Sequence, residues 1–270
     1  MSLLLHISDT HFGTERPNVV DALLRMAREQ APDVVVLSGD ITQRARRSQF
    51  KAAREFVDRL APAAMLAVPG NHDIPLFNLV ARMFAPYANH QREFGSDLER
   101  VLESADFLVI GVNTTRPSRH KDGEVSSEQI ERVSRRLHQA RPNQLRIVVT
   151  HQPVHVTRPE DERNLLHGGD EAVRAWVNAG VDLLLGGHIH LPYVRPLKER
   201  LDDLSRDAWV AQAGTAVSSR LRSEAPNSVN LIRHSGGDKL SRCNVERWDY
   251  GRPGDCFELV DRTEIFLDRV

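Results

Sequence analysis

The sequence is short of cysteine, lysine, aromatic residues and long apolar runs, and the shortages narrow what the protein can be. Only two cysteines, Cys243 and Cys256, occur in 270 residues. Both lie away from every cluster of histidine and aspartate, so they read as reduced packing residues and not as a disulfide framework. The longest apolar runs, such as Val181 to Leu185, fall far short of the roughly 20 residues that cross a bilayer. No transmembrane helix is expected. The N-terminus MSLLLHISDTH has no basic n-region and soon turns polar, so no signal peptide is read and a cytoplasmic location is expected. Four lysines stand against 32 arginines, a bias we read as GC-rich bacterial coding and not as function. The formal charge of −1 provides no general attraction to extended nucleic acid or to an anionic membrane.

What is present is an ordinary globular composition, 40% hydrophobic and 27% charged, with enough chain for a sizeable core. No repeat and no Pro/Gly/Ser-rich linker divides it, so residues 1–270 read as one domain. Short runs rich in Val, Leu and Ile at Leu3–Ile7, Val34–Leu37, Met65–Val68, Phe107–Val112, Leu145–Val149 and Val181–Leu185 predict strands covered on both faces. Helical periodicity lies between them at Asn18–Gln30, Ser48–Leu60, Ser126–Ala140 and Gly169–Ala179, with Ser126 or Ser127 as N-cap of the third. The alternation predicts an α/β layered fold. Residues 76–100, interrupted by Pro86, read as a helical insertion packed over one edge. Residues 208–270 read as a C-terminal β-rich part of the same domain, with antiparallel strands at Trp209–Val217, Ser228–His234, Val245–Tyr250 and Phe257–Leu267 and a turn at Ser235–Asp238. These strands could complete a sheet, cover an edge or form a homodimer.

The chain has 12 histidines, and many of them follow strands. Leu3–Ile7 runs into Ser8-Asp9-Thr10-His11, and Val34–Leu37 into Ser38-Gly39-Asp40. Met65–Val68 runs into Pro69-Gly70-Asn71-His72-Asp73, Leu145–Val149 into Thr150-His151, and Val181–Leu185 into Gly186-Gly187-His188-Ile189-His190. Open α/β sheets bind ligands beyond the carboxyl ends of their strands. Asp9 and His11, two apart in a segment expected to be extended, would send their side chains off one face and grip one ion together, and His188 and His190 would repeat that geometry. The Asp40 carboxylate can bridge two cations, Asn71 can add a neutral oxygen and His151 another imidazole. This mixed N/O set without thiolate suits Mn, Fe, Zn or Co. Singly, each motif is unremarkable: Gly-Asp after a strand is usually a turn, and Asp73 could simply cap a helix entry. Together they require five strand ends to carry ligand types by accident.

Asp9-x-His11, Gly39-Asp40, Gly70-Asn71-His72-Asp73, His151 and Gly187-His188-x-His190, in this order, resemble the signature of the calcineurin-like metallophosphoesterases. The wording ISDTH, SGDIT, PGNHD, THQP and GGHIH is most similar to the bacterial class III cyclic-nucleotide phosphodiesterases. The resemblance covers roughly residues 3–195 and implies a four-layer α/β/β/α sandwich with a dinuclear metal centre. It implies a first metal held by Asp9, His11, Asp40 and His190, and a second by Asp40, Asn71, His151 and His188. It also implies substrate contacts from Asn71 and His72, with His72 as the catalytic histidine and Asp73 orienting it by accepting its other ring proton.

A hydroxide shared by the two metals would then attack phosphorus while His72 assists the leaving group. The implied substrate is a small phosphodiester, 3′,5′-cyclic AMP first, with glycerophosphodiesters or a broad phosphomonoesterase activity as alternatives and a non-catalytic metal-binding scaffold as a further one. Protein phosphatases of the superfamily usually write the second and third motifs differently from Ile41-Thr42-Gln43 and Asp73. Two segments, Thr115–Val125 with Arg116, Arg119 and Lys121, and Val154–Gly169 with His155, Arg158, Arg163 and His167, are long enough to shape a pocket. His6, His90, His120, His138 and His234 read as core or surface residues.

Overall fold

A computed structural model describes residues 2–222, 225–235, 242–251 and 254–268. The chain begins β1 (Ser2–Ile7), α1 (Pro17–Gln30), β2 (Val34–Leu37), α2 (Arg47–Leu60) and β3 (Ala64–Ala67). It continues through α3 (Leu79–Phe84), α4 (Ala88–Phe94), β4 (Val101–Glu103), β5 (Phe107–Gly111), α5 (Ser127–His138), β6 (Leu145–Val149) and α6 (Gly169–Asn178). Then come β7 (Leu183–Gly186), β8 (Tyr193–Pro196), β9 (Trp209–Gln212), β10 (Ser228–His234), β11 (Arg242–Gly251) and β12 (Cys256–Phe266).

Two six-stranded sheets result, ordered β12-β11-β10-β1-β2-β3 and β4-β5-β6-β7-β9-β8. Alternation along each strand sorts its side chains into separate apolar layers. Leu4, Val36, Val109 and Ile147 share the layer between the sheets. Leu5, Val35 and Leu37 pack on the other side with Leu23 of α1 and Phe56 of α2. Leu108, Val148 and Leu184 meet α5 and α6, where Trp176 is fully buried. Each such side chain contributes roughly 1.5–3 kcal/mol by leaving water. The architecture is therefore the four-layer α/β/β/α sandwich. The N-cap of α5 is Ser126, whose Oγ accepts the Gln129 N–H at 3.3 Å while the Gln129 side chain accepts the Ser126 N–H at 2.9 Å.

The C-terminal strands divide between the sheets. β10, β11 and β12 form the antiparallel wing of the first sheet beside β1. The strand expected at Trp209–Val217 is shorter than read: β9 stops at Gln212, and it runs antiparallel to β8 as expected but parallel to β7 on its other side. Its continuation leaves the sheet to cross the gap, donating from Ala213 N to Gly186 O and from Ala216 N to Ser8 O. The turn expected at residues 235–238 lies outside the described residues beyond Ser235. Within residues 76–100, α4 buries His90 between Phe50 and Phe94, at ring-centroid distances of 5.9 and 5.4 Å. α3 buries no side chain and leaves Leu79, Val80, Met83 and Phe84 exposed. Among the described residues, no helix is long and apolar enough to cross a membrane. Cys243 is buried in the inter-sheet layer, and no disulfide joins it to Cys256.

Candidate metal centre

Asp9 and His11 follow β1, Asp40 follows β2 and Asn71 follows β3, while His151 follows β6 and His188 and His190 follow β7. Both sheets therefore deliver polar side chains to one edge of the sandwich. There the donors form two groups, Asp9 with His11 and His190, and Asp40 with His151 and His188, and a third combination, His11 with Asp40 and His72, overlaps both. In the first group His190 Nε2 lies 3.1 Å from Asp9 Oδ1 and 3.2 Å from His11 Nε2. In the second His151 Nε2 lies 3.3 Å from Asp40 Oδ1, and His188 Nδ1 lies 3.0 Å from Asn71 Oδ1. Asp40 joins the two, since its Oδ2 stands 3.7 Å from His11 Nε2.

These spacings fit metal ions. Donors held 2.0–2.2 Å from one ion stand roughly 3.0–3.5 Å from one another. The hydrogen-bond pattern also fits: His151 Nδ1 lies 2.8 Å from Ser38 O and His190 Nδ1 lies 2.7 Å from Arg220 O. Donation from each Nδ1 to a carbonyl leaves the Nε2 lone pair aimed into the centre. Asp9 Oδ2 accepts from Ser8 Oγ at 2.7 Å and from the His188 N–H at 3.0 Å. Its Oδ1 and the Nε2 of His151 are buried without a hydrogen-bond partner among the described residues.

The electrostatics point the same way. Burial pushes the carboxyls of Asp9 and Asp40 up, but the neighbouring His190 and His151 outweigh it and hold both below the usual carboxylate range. Burial lowers the His11 and His188 rings to about 3, leaving them neutral and able to donate a lone pair. At His151 burial is overridden by the Asp40 charge and the ring rises to about 9; Asp9 raises His190 in the same way. Two buried carboxylates thus draw positive charge to the spots where cations would sit.

The backbone reaches this arrangement in a way the Asp-x-His spacing does not suggest. Asp9 and His11 are not extended: their φ values are 52° and 41°, and Asp40, His188 and His190 also lie in the left-handed region. Five of the nine non-glycine residues of positive φ among the described residues are candidate ligands. Asp and His tolerate this region better than most types, and such strain collects at functional sites. His188 and His190 do not grip one ion together either, because they fall in different donor groups. Gly39, at φ 98°, is required by space as well as by conformation, since a Cβ there would stand 2.5 Å from His151 Nδ1.

His72 sits beside the first donor group, its ring 4.9 Å from that of His11. The expectation that Asp73 orients it is corrected. His72 Nδ1 lies 3.0 Å from Gln43 O, whereas the buried Asp73 carboxylate accepts from the N–H groups of Gly70, Ile41 and Thr42 and from Thr42 Oγ1, at 2.8 to 3.0 Å. Burial and the nearby Asp40 charge push the Asp73 carboxyl up to about 7. Asp73 ties the loop after β3 to the loop after β2.

Arg220 went unread in the sequence. Its carbonyl accepts from His190, its Nη1 donates to Gln43 Oε1 at 3.0 Å, and the same Nη1 lies 3.5 Å from His72 Nε2. It belongs to the segment crossing between the sheets and has no motif around it, so only folding reveals it. A cavity of about 190 Å³ opens beside His72. From segment 115–125 it receives His120 and Lys121, while Arg116 and Arg119 pair with Glu124. Segment 154–169 contributes nothing to its lining.

Residues 3–192 match the family described as calcineurin-like phosphoesterase, and the chain belongs to that family. A probable cyclic nucleotide phosphodiesterase of Synechococcus is 25% identical over 171 residues, covering 62% of each chain. A glycerophosphodiester phosphodiesterase of Enterobacter lignolyticus is 37% identical over 83 residues, 26% of this chain and 29% of that one. The match thus spans less than two thirds of either relative. In fold, the chain resembles a dimetal phosphatase from Danio rerio with a TM-score of 0.67 over 99% of both chains, at 14% identity.

Proposed function

We propose that this protein is a dinuclear-metal-dependent hydrolase of a small phosphodiester. The observation that carries the reading is the division of the Asp40 carboxylate between two donor groups, one oxygen toward each. Asp9, His11, Asp40 and His190 would hold one ion, and Asp40, Asn71, His151 and His188 the other. The nitrogen-rich, thiolate-free donors favour Mn, Fe, Zn or Co. When bound, such a pair supplies Lewis acidity and an activated water.

The chain's own residues then have separable tasks. His72, with Nδ1–H donating to the Gln43 carbonyl, directs Nε2 toward the reacting group, where its protonated form donates to a phosphate oxygen or to the departing ester oxygen. Arg220 stands beside that nitrogen, its Nη1 3.5 Å away, as a fixed positive charge, and Asn71 would orient the phosphate from the second group. The named relatives make 3′,5′-cyclic AMP the first substrate to test and glycerophosphodiesters the second.

The test is a panel of cyclic nucleotides, glycerophosphodiesters, bis(p-nitrophenyl) phosphate and p-nitrophenyl phosphate on protein reconstituted with Mn. Preference for diesters supports the reading. Preference for the monoester would make the protein a phosphomonoesterase, and activity on none would favour a scaffold.

A further inference from the structure

The cavity beside His72 holds more positive charge than one phosphodiester uses. Arg44, Arg82, Lys121 and Arg220 line it together with His120, and no carboxylate does. Elsewhere on the surface arginines are regularly neutralised, as in Arg54–Asp58, Arg132–Glu99, Arg136–Glu103 and Arg174–Asp203. None of the four cavity cations has a carboxylate partner among the described residues. Arg82 spends its guanidinium on neutral carbonyls, reaching Pro75 O at 3.3 Å and Arg119 O at 2.7 Å, and so ties the wall after β3 to the wall formed by segment 115–125. The Arg44 guanidinium rests over the Phe77 ring, 5.2 Å from its centroid. Among the described residues the Arg220 guanidinium reaches Gln43 Oε1 at 3.0 Å and His72 Nε2 at 3.5 Å, and no carboxylate. Ile74 and Leu76 supply the apolar part of the lining.

A phosphodiester carries one negative charge, and the two ions that the donor groups would hold would already face it. Unneutralised cations gathered in one cavity, on a chain whose net charge is −1, create a local field that favours a further anion. Arginine in particular offers the forked donors that match phosphate or carboxylate. Asn71, His72 and Arg220, which the reacting phosphate would use, line one side of this cavity. We propose that its Arg44, Arg82 and Lys121 wall is a second anion subsite, and that the substrate is a phosphodiester with an additional phosphate or carboxylate on one of its ester groups. The inference rests on the phosphodiesterase reading and narrows its substrate class. A singly charged cyclic nucleotide would leave the subsite unused.

Three dinucleotides test this: thymidylyl-(3′→5′)-thymidine, the same molecule with a 5′-terminal phosphate, and the same molecule with a 3′-terminal phosphate. They place the extra anion on either side of one diester. Their dissociation constants are measured by calorimetry on the Mn-loaded protein, a readout that needs no turnover. One phosphorylated dinucleotide is expected to bind about tenfold or more tightly than the parent, the scale of one charge-assisted hydrogen bond. In the double variant Lys121→Gln/Arg44→Gln that ratio should fall toward one. Both side chains are exposed, so the variant keeps its fold, whereas Arg82 holds two walls together and is left intact. Equal affinities in the parent protein, or a preference that survives the double variant, would overturn the subsite. Hydrolysis of bis(p-nitrophenyl) phosphate by the same preparation separates the two levels: turnover with equal affinities sinks the subsite alone, and absence of turnover on every diester sinks the phosphodiesterase reading.

Discussion

Asp40 turns one carboxylate oxygen to His151, 3.3 Å away, and the other to His11, 3.7 Å away, so a single side chain joins two donor groups, each of which draws on both sheets. Replacing it with alanine should empty both positions. Asp40→Asn, which keeps only one carboxylate-like oxygen, should retain at most one ion. Elemental analysis of metal per chain checks both, and two ions per chain in Asp40→Ala would exclude the bridge.

His72 and Asp73 are neighbours in sequence with different tasks. His72→Ala should keep its metal and its melting temperature while losing roughly 10²- to 10⁴-fold in turnover. Asp73→Ala strands the four donors that its carboxylate satisfies, which should cost about 3 kcal/mol or more of stability. Chemical denaturation of the two variants separates these roles; an Asp73→Ala protein of normal stability that lacks only turnover would restore a catalytic role to Asp73.

Gly39→Ala adds one methyl carbon where the backbone is left-handed and the His151 ring stands 2.5 Å away. Strain of this kind costs about 1–3 kcal/mol. Because the His151 ring must move aside, metal affinity should fall along with stability. A variant that binds metal as tightly as the parent would show that the loop absorbs the methyl elsewhere.

His90 makes acid stability partly a packing property. Its buried ring lies between Phe50 and Phe94, and burial lowers its pKa to about 4 from 6.5. Below pH 6.5 the unfolded chain takes up this proton and the folded chain does not. Its contribution is therefore fully present above pH 6.5 and is lost as pH falls toward 4, by about 3 kcal/mol in all. His90→Phe removes the titration. The stability difference between variant and parent should widen in the variant's favour from pH 7 to pH 4.5 in denaturation at each pH, and a constant difference would argue against this account.

Much of the fold was legible because two periodicities are local properties of the chain. Strand runs such as Val34–Leu37 and helix stripes such as Val19, Leu23 and Met26 record which faces will be buried. The ligand types were legible for a related reason: Asp, His and Asn placed just after strands lie where a parallel sheet opens. The short edge strands β4 and β8 were missed, being too brief for a pattern.

The sequence by itself determined the layer architecture, the donor types and the family to which the chain belongs. Tertiary structure alone decided the rest. Left-handed turns at Asp9, His11, His188 and His190, and not extended spacing, bring the donors together and send His188 and His190 to different groups. The path between β9 and β10 carries Arg220 back to His72 across 148 residues. Asp73 serves the loop after β2 and leaves His72 to Gln43. Such contacts depend on backbone angles and on how two sheets align at one edge, and neither quantity is written in any short stretch of residues.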